Sequence, residues 1–416
     1  MLICTIVNYL VRNWKVGCFR YMICLANQHP TLNTSLSPAR IATLTLIRVV
    51  LNTAHRMIYP FLSVFARGLG VDLGAVSALV ANRAIVGAAA PFLFPFVEPR
   101  GRKFGMLLGA GFFSVAMGLV FLWPSLPSLG AALILALLGK SFFDPSLLAY
   151  LADHVPYERR GAVTAVAEFA WSLSFIVGVP AMGFLIAKGT WSSPFAALSV
   201  LGGLAFLVIT LTVRDSHRPA HHADGIFGNV RAIFTSAPVV MALSIGMFAS
   251  MSNEAVNLIF GVWLEDSFHL QIAALAAASA VIGLSELGGE GLVALFVDRV
   301  GKVRATGIGL AASCAAAGLL PLIGRTEAGA LAGLFLFYIS FEFTLVSQIP
   351  LMTEIMPAAR GTTLAFNLAA HSVGRAIGAL AAPLLYARGF STVTVAAVGI
   401  NILGLAAVWY VSRHHQ

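Results

Sequence analysis

Long apolar runs separated by short polar breaks make up most of the chain. A helix needs about 20 mostly apolar residues to cross the hydrocarbon core of a bilayer, and only helices or closed barrels satisfy their backbone groups there. The runs are too long and continuous for barrel strands of about ten alternating residues. The pattern therefore predicts an all-α membrane protein with twelve transmembrane helices, here called spans 1 to 12, at about 41–66, 75–97, 105–123, 130–152, 162–187, 194–213, 238–263, 273–297, 305–323, 329–353, 362–386 and 391–411.

The composition agrees with a protein that lies in a bilayer. Hydrophobic residues make up 59% of the 416 residues and charged residues only 10%, against about 25% charged residues in a typical soluble chain. So little charge cannot cover the surface of a water-soluble protein of this size. Lipid is therefore the expected solvent over most of the surface. None of the four cysteines has the spacing of a metal site or a disulfide framework.

Lysine and arginine are distributed unevenly between the two sides of the predicted membrane. Of the 26 Lys and Arg residues, 17 fall on the side that carries both termini and the segment 214–237, and four fall on the other side. Because cytoplasmic loops are enriched in Lys and Arg, this distribution predicts a multi-pass protein of the cell membrane with both termini in the cytoplasm. It also accounts for the net charge of +9 without a nucleic-acid partner.

The chain divides into four segments. Residues 1–40 are predicted to be an N-terminal extension, cytoplasmic or interfacial, because basic residues interrupt their apolar stretch and the cleavage site of a secretory signal is missing. A basic amphipathic helix at the interface is one interpretation; an extension outside the folded part is favoured. Residues 41–213 are the first half with six spans, 214–237 a cytoplasmic linker and 238–416 the second half.

Two charged loop sequences are each repeated, with one copy in each half of the chain. Residues 98–103, EPRGRK, follow span 2 and match residues 298–302, DRVGK, which follow span 8. Residues 153–161, DHVPYERRG, follow span 4 and match residues 354–361, EIMPAARG, which follow span 10. An internal repeat of six spans joined by a linker is typical of transporters built from two similar halves around a central path.

These loops resemble the loop motif of the major facilitator superfamily, over about residues 41–411. The second copy departs from the motif at Ala294, where the leading glycine belongs. The first copy departs further, with Phe94 in place of that glycine, Glu98 in place of the aspartate and Pro99 in place of the next basic residue. The resemblance implies two six-helix halves with pseudo-two-fold symmetry, and a cavity lined mainly by spans 1, 4, 7 and 10, with contributions from spans 2, 5, 8 and 11.

The repeated loops are candidates for a cytoplasmic gate. An acid after one helix and bases before the next can pair with the facing half, and such pairs must break when that side opens. The alternative is that the basic residues are only topology anchors; the two matched copies favour the gate. The candidate gate residues are Glu98, Gly101, Arg102, Lys103, Asp153, Arg160, Asp298, Arg299, Gly301, Lys302, Glu354 and Arg360.

Polar residues inside the spans follow helical stripes. In spans 1, 7 and 11 they recur at steps of three or four residues. A charged side chain at the centre of a membrane helix costs about 2.5–3.5 kcal/mol, so these residues are expected to face a cavity or one another. With these boundaries, spans 3, 6, 9 and 12 carry no charge. The candidate cavity residues are Arg48, Asn52, His55, Arg56, Tyr59, Lys140, Asp144, Glu168, Asn253, Asn257, His371 and Arg375.

Acidic residues inside the spans are concentrated in the second half, where they are candidates for proton coupling. Two carboxylates one helical turn apart do not both ionise easily in a low dielectric, so one of Glu286 and Glu290 is expected to hold a proton. Glu290 is the preferred coupling site and Glu254 is the next candidate. Glu286 and Glu342 are the other two candidates.

Some of these charges also have a structural interpretation. Lys140 and Asp144, at i and i+4, are best interpreted as a pair that neutralises itself. Arg375 can likewise be interpreted as the structural partner of a glutamate across the cavity. The roles of His55 and His371 stay open.

These observations together predict a secondary transporter and not an enzyme. It would move a small polar or amphiphilic solute by alternating access, driven by protons, although sodium stays an alternative. No nucleotide-binding sequence is present, which argues against ATP as the driving force. Export is slightly favoured over import, because Gly178–Val–Pro180 in span 5 loosely resembles the glycine–proline motif of the superfamily's antiporters. We expect a monomer that uses no metal or other cofactor.

Two other classes of protein remain as alternatives. A polytopic membrane transferase would use the glutamates and His371 as acid and base, and its catalytic residues would gather at one membrane face. A transporter-like sensor would bind a ligand without moving it, and only a flux measurement separates it from a transporter.

Overall fold

The computed structural model describes residues 36–93, 97–214 and 230–414. These residues form helices joined by turns, with no strand among them. The predicted extension 1–40 lies almost entirely outside the described residues, and so does most of the predicted linker.

The described helices confirm the all-helical membrane fold. Eleven helices of this part are long and apolar enough to cross a bilayer, and span 1, divided into two helices, is consistent with a twelfth crossing. The helices are Pro38–Arg56 and Leu62–Leu69 (span 1), Leu73–Leu93 (span 2), Arg102–Leu122 (span 3), Leu126–His154 (span 4), Tyr157–Glu168, Ala170–Leu173 and Val179–Lys188 (span 5), Ser193–Thr212 (span 6), Val230–Thr235 (before span 7), Ala237–Phe268 (span 7), Ile272–Val300 (span 8), Lys302–Ile323 (span 9), Glu327–Ile355 (span 10), Arg360–Tyr386 (span 11) and Phe390–His414 (span 12).

The turns between spans lie alternately on two faces of the bundle. We call the face with the turns at Gly101 and Gly301 the basic face, which is the predicted cytoplasmic side, and the face with the turns at Gly70 and His269 the opposite face. Gly101 and Gly301 have φ values of 95° and 90°, which residues other than glycine rarely adopt. These glycines hold equivalent positions in the two copies of the loop, so the sequence repeat is also a repeat of backbone geometry.

Span 1 is interrupted by a proline beyond its midpoint, toward the opposite face. The first helix ends at Arg56, residues 57–61 form turns, and the chain becomes helical again at Leu62. Pro60 has no backbone N–H to donate, and its ring would clash with the carbonyl of Arg56 in a continuous helix. The interruption places Arg56 and Tyr59 beside irregular backbone within the membrane.

Span 5 contains a π-helical turn at Ser174–Gly178, directly before Pro180. A proline removes one hydrogen bond from the helical ladder, and single π-turns in helices often accompany functional sites. Gly178 lies against Thr53 of span 1, where a β-carbon would have no room. The turn therefore brings span 5 close to the interrupted part of span 1.

The two halves meet mainly where span 2 packs on span 11, span 5 on span 8 and span 1 on span 7. Span 5 contacts span 8 between the centre and the opposite face, where Gly183 lies against Ala276. The remaining part of span 5, Tyr157–Glu168, packs instead on spans 1 and 4 of its own half. Spans 5 and 8 therefore diverge toward the basic face and are held together toward the opposite face.

Candidate functional site

A narrow polar pocket lies between the two halves at the middle of the spans. Spans 1, 5, 7, 8, 10 and 11 contribute to it, together with aromatic side chains from Trp171, Tyr338 and Phe341. The pocket is lined by the following predicted cavity and coupling residues: His55, Arg56, Tyr59, Asn253, Glu254, Asn257, Glu286, Glu342 and Arg375.

Arg56 connects the halves at this pocket. Its guanidinium forms an ion pair with Glu286 of span 8 and donates a hydrogen bond of 3.0 Å to the carbonyl of Trp171. It also lies over the rings of Phe175 and Trp171, with its central carbon 3.5 and 4.3 Å from their centroids. Arg56 is only 3% exposed and Glu286 only 4%. Removal of one partner would leave the other charge buried alone, so this ion pair favours the arrangement in which the two halves meet at the pocket.

Tyr59 makes a second contact between the halves. Its hydroxyl donates to Oε1 of Glu254 over 3.0 Å and accepts a hydrogen bond of 2.8 Å from Nη2 of Arg83. Nη1 of Arg83 donates to the backbone carbonyl of His55 over 3.1 Å. Arg83, in span 2, is not among the predicted cavity residues. Its guanidinium nevertheless orients the tyrosine that reaches the second half.

Several polar groups at the pocket have no partner among the described residues. Glu342, 4% exposed, makes neither an ion pair nor a hydrogen bond there, and the same is true of Arg375. Oε2 of Glu286 and Nδ2 of Asn253 are buried without a hydrogen bond. Buried polar atoms are usually hydrogen bonded, so these groups indicate a place where a ligand or water binds.

A separate charge cluster lies within the first half, between spans 1, 4 and 5. Arg48 contacts Asp144 at 3.1 Å and Glu168 at 2.9 Å. Lys140 pairs with Asp144, as their spacing predicts, and donates to Oδ1 of Asn52. Two cations and two carboxylates thus neutralise one another. The structure places none of these five predicted cavity residues at the central pocket.

Comparison with known proteins identifies the family. The sequence model of the major facilitator superfamily matches residues 44–359, about three quarters of the chain. The chain belongs to the major facilitator superfamily. It is 27% identical over 320 residues to the uncharacterized MFS-type transporter YceJ of Bacillus subtilis (strain 168), an alignment that covers 74% of this chain and 79% of the relative.

Solved structures of the superfamily share the fold. A bacterial homolog of the human lysosomal transporter Spinster, in an inward-facing and occupied conformation, superposes with a TM-score of 0.72 at 16% identity, over 91% of this chain and 98% of the other. A D-xylose–proton symporter superposes with a TM-score of 0.71 at 18% identity, over 89% and 96%. Membership of the superfamily shows a multi-pass membrane protein and indicates a secondary transporter rather than an enzyme.

In this structure Glu290 lies outside the central pocket, on the side of the basic face. Glu290 lies one turn beyond Glu286 on span 8 and is partly exposed where spans 5 and 8 diverge. It makes no ion pair among the described residues, whereas Glu286 is paired with Arg56. Of these two neighbouring glutamates, Glu290 is therefore the one without a compensating cation.

His371 lies between spans 7 and 11 and does not line the pocket. Its Nδ1 is 2.7 Å from the hydroxyl of Ser250, and its Nε2 is 3.2 Å from Nδ2 of Asn367. His55 does line the pocket, with its ring centroid 6.0 Å from that of Trp171. The two histidines, equal as candidates in the sequence, therefore occupy different environments.

At the basic face, the ion pairs that the structure shows connect each repeated loop to its own half. Arg102 lies 3.5 Å from Asp153 in the first half, and Lys302 pairs with Glu354 at the equivalent position of the second half. Asp298 is exposed and makes no ion pair among the described residues. This agrees with the divergence of spans 5 and 8 at this face, although Phe92 of span 2 and Phe366 of span 11 remain in contact there.

The other gate candidates also lie in these loops. Lys103 donates to the carbonyl of Thr210 in span 6, and Arg160 donates to the carbonyl of Val155. Both acceptors belong to the same half as the donor. The remaining candidates lie at the turns or helix ends of the same face: Glu98, Gly101, Arg299, Gly301 and Arg360.

Substitution of Asp298 by asparagine is expected to shift the protein toward opening at the basic face without lowering its melting temperature. Asp298 is exposed and unpaired here, so folding does not depend on its charge; the proposed gate needs that charge only when the face closes. The measurement is the rate at which an impermeant maleimide labels cysteine at position 165 of span 5, which is exposed in this structure. Arg304→Gln, at the same face, is the control. An unchanged labelling rate would favour topology anchors over a gate.

An unpredicted contact between the halves lies at the opposite face. Glu265 of span 7 pairs with Arg67 at 2.7 Å and accepts a hydrogen bond from Ser63, both from span 1. In the sequence, Arg67 counts only as one of four basic residues on that side, and nothing near it marks a partner 198 residues away. Contacts of this kind depend on how the halves assemble, which a single sequence does not encode locally.

Proposed function

We propose that this protein couples proton movement to the transport of a small polar or amphiphilic organic solute across the cell membrane, with both termini in the cytoplasm. The observation that carries the proposal is the pocket between the halves, where buried polar and charged groups of one half bind to carboxyl groups of the other. Arg56–Glu286 and Tyr59–Glu254 both cross this boundary. Charge that must be compensated across two moving bodies links ligand or proton binding to their relative position.

The geometry supports alternating access. The halves are joined toward the opposite face by Arg67–Glu265 and by the packing of span 5 on span 8. Toward the basic face spans 5 and 8 diverge, while spans 2 and 11 stay in contact through Phe92 and Phe366. A solute can then enter between spans 5 and 8 from the basic face, and closure there with opening at the opposite face would release it. Export is the preferred direction, on the resemblance of Gly178–Val–Pro180 to the antiporter motif.

Protons are the proposed coupling ion because unpaired carboxyl groups lie along this path. Glu290 faces the opening at the basic face, and Glu342 lies at the pocket; neither has a cation partner among the described residues. A carboxyl group whose compensating charge is missing in one state can bind a proton there and release it in another. Glu254 and Glu286 are the alternative carriers, since their partners belong to the other half and can be lost when the halves move.

The proposal is tested by a flux measurement. Purified protein in liposomes that contain a pH-sensitive dye is screened against a library of small organic solutes, with an imposed pH gradient. Solute-dependent proton movement supports the proposal. Binding without movement of any solute would favour the sensor, and chemical change of a solute would favour the membrane enzyme.

Glu290→Gln is expected to abolish accumulation of solute driven by a pH gradient while sparing exchange of solute without a gradient. Glutamine resembles the protonated side chain, so the variant keeps one state of the coupling group permanently. The measurement compares gradient-driven uptake with counterflow in the same liposomes. Glu327→Gln, at the start of span 10 on the opposite face, is the control. Normal pH-dependent accumulation by Glu290→Gln would assign Glu290 a structural role and make Glu254 the next candidate.

A further inference from the structure

The free polar groups at the pocket fall into two sets of opposite character. Glu342 and Oε2 of Glu286 are acceptors on spans 10 and 8, and they are neighbours because Gly289, one turn from Glu286, packs directly against the β-carbon of Glu342. Arg375 and Nδ2 of Asn253 are donors on spans 11 and 7. The acceptors and the donors therefore lie on different walls of one pocket.

The charges around the pocket balance when its carboxyl groups are deprotonated. Three guanidinium groups line it or donate to its residues, and three carboxyl groups line it; the six residues are Arg56, Arg83, Arg375, Glu254, Glu286 and Glu342. A buried site with equal numbers of opposite charges accepts a ligand of zero net charge more readily than an ion, because an ion would add an uncompensated buried charge. A neutral ligand without charged groups would leave Arg375 and Glu342 unpaired.

We infer that the central pocket binds a small zwitterion, with its cationic group at Glu342 and Glu286 and its anionic group at Arg375 and Asn253. This inference rests on the proposed transport function and adds the class of its substrate. A guanidinium and an amide N–H suit a carboxylate or another oxyanion, and two carboxylates suit an ammonium. The cavity volume in this structure is only about 30 Å³, so the pocket has to widen, as spans move in alternating access, before the zwitterion fits. Trp171 and Phe341 then supply apolar surface for the rest of the solute.

A ligand with only a negative or only a positive charge does not account for the whole site. An anion would use Arg375 and Asn253 but would leave Glu342 and Oε2 of Glu286 without a partner. A cation would use the carboxyl groups but leave the guanidinium free. Because each unpaired buried group has a desolvation cost, a ligand that carries both charges satisfies more of the pocket than either ion.

The test measures thermal stabilisation of the purified full-length protein by matched sets of probes. The probes are the standard amino acids and glycine betaine, followed by the amide and the N-acetyl derivative of each amino acid that stabilises the protein. The amide keeps only the cationic group and the N-acetyl derivative only the anionic one. At least one zwitterion is expected to raise the melting temperature, and each derivative should bind about tenfold more weakly or worse, since a hydrogen bond to a charged group is lost.

Variants assign the two ends of the ligand. Arg375→Gln should remove the preference for the zwitterion over the amide, and Glu342→Gln should remove its preference over the N-acetyl derivative. Arg375→Lys, which keeps the charge, should retain part of the first preference, and this guards against simple loss of folding. Arg388→Gln, exposed at the opposite face, should behave like the unmodified protein.

The inference is overturned if no zwitterion stabilises the protein, or if a derivative with one charge binds as tightly as its parent. Flux measurements in liposomes separate this failure from failure of the proposed function. Proton-coupled movement of a solute that is not a zwitterion would uphold the function and refute the substrate class. A zwitterion that binds with the expected dependence on Arg375 and Glu342 but is never moved would uphold the site and refute transport.

Discussion

Arg56→Ala is expected to destabilise the protein by about 3–5 kcal/mol, the usual cost of removing one partner from a buried ion pair, and to stop transport. The cost is high because Glu286 would keep its buried charge while its other oxygen already lacks a hydrogen bond. The variant also loses the cation–π contacts with Phe175 and Trp171, each worth about 0.5–2 kcal/mol. The melting temperature of the detergent-purified protein measures the first effect, and flux in liposomes measures the second.

A double variant separates stability from function. Arg56→Met with Glu286→Leu replaces the ion pair by apolar side chains, and such replacements are often neutral or stabilising. The double variant should therefore recover most of the lost melting temperature but no transport. Arg304→Ala, an exposed residue at the basic face, is the control for the loss of an arginine. A normal melting temperature for Arg56→Ala would show that the pair has no structural role.

The helical stripes in the sequence predict cavity residues, and part of that set lies at the central pocket of the structure. A polar residue in a membrane helix needs a polar environment, so spacing alone was enough to select residues such as Tyr59, Asn253 and Asn257. Their partners were not predictable in this way. Arg56 and Glu286 are 230 positions apart, and their contact arises only when two halves of six spans assemble. Arg83 was likewise visible as a charge in span 2, but nothing local shows that it orients Tyr59.

The charge cluster of the first half shows that a charged residue in a cavity-lining span need not lie at the cavity. Arg48, Lys140 and Asp144 lie in spans that line the cavity of the superfamily, and the stripe of span 1 continues from Arg48 to Arg56. The structure separates the two ends of this stripe, because Asp144 and Glu168 compensate Arg48 inside the first half. A stripe indicates which side of a helix is polar, but the neighbours that it meets along its length can differ.

Nothing in the sequence pattern marks the aromatic residues around the pocket as site residues. Trp171 and Phe175 are ordinary members of an apolar run, and their contact with Arg56 depends on the interruption of span 1 and the π-turn of span 5. Pro60 and Pro180 are visible in the sequence and indicate that each helix is disturbed, since proline breaks the helical hydrogen-bond ladder. Proline is nevertheless frequent in membrane helices, so its presence does not predict which kind of distortion forms.

The contact between spans 1 and 7 depends on a glycine. Gly261 of span 7 lies against the interrupted backbone of span 1, and a β-carbon at this position would lie 2.6 Å from the carbonyl oxygen of Pro60. That neighbour is backbone and belongs to the other half, so it cannot rotate away as a side chain would. A larger residue at 261 must therefore push the two halves apart near the opposite face.

Gly261→Val is expected to open the opposite face and to reduce transport strongly. Overpacking a buried site costs about 1–3 kcal/mol, and the whole cost falls on the state in which spans 1 and 7 touch. A shift of this size changes the ratio of the two states about 5- to 150-fold. The measurement is labelling of cysteine at position 276, which is 3% exposed between spans 5 and 8, by an impermeant maleimide applied from the opposite face, in protein whose four native cysteines are replaced by serine.

Gly399→Val is the matched control, because a β-carbon at position 399 in span 12 meets nothing within 4 Å. This variant makes the same change of side chain in a membrane helix without an obstacle, so it should leave both labelling and transport unchanged. Gly261→Ala should lie between the two, since it adds one carbon at the same contact. If Gly261→Val is labelled no faster than Gly399→Val while its melting temperature falls, the glycine serves packing within a single state. The contact between spans 1 and 7 would then have no part in alternating access.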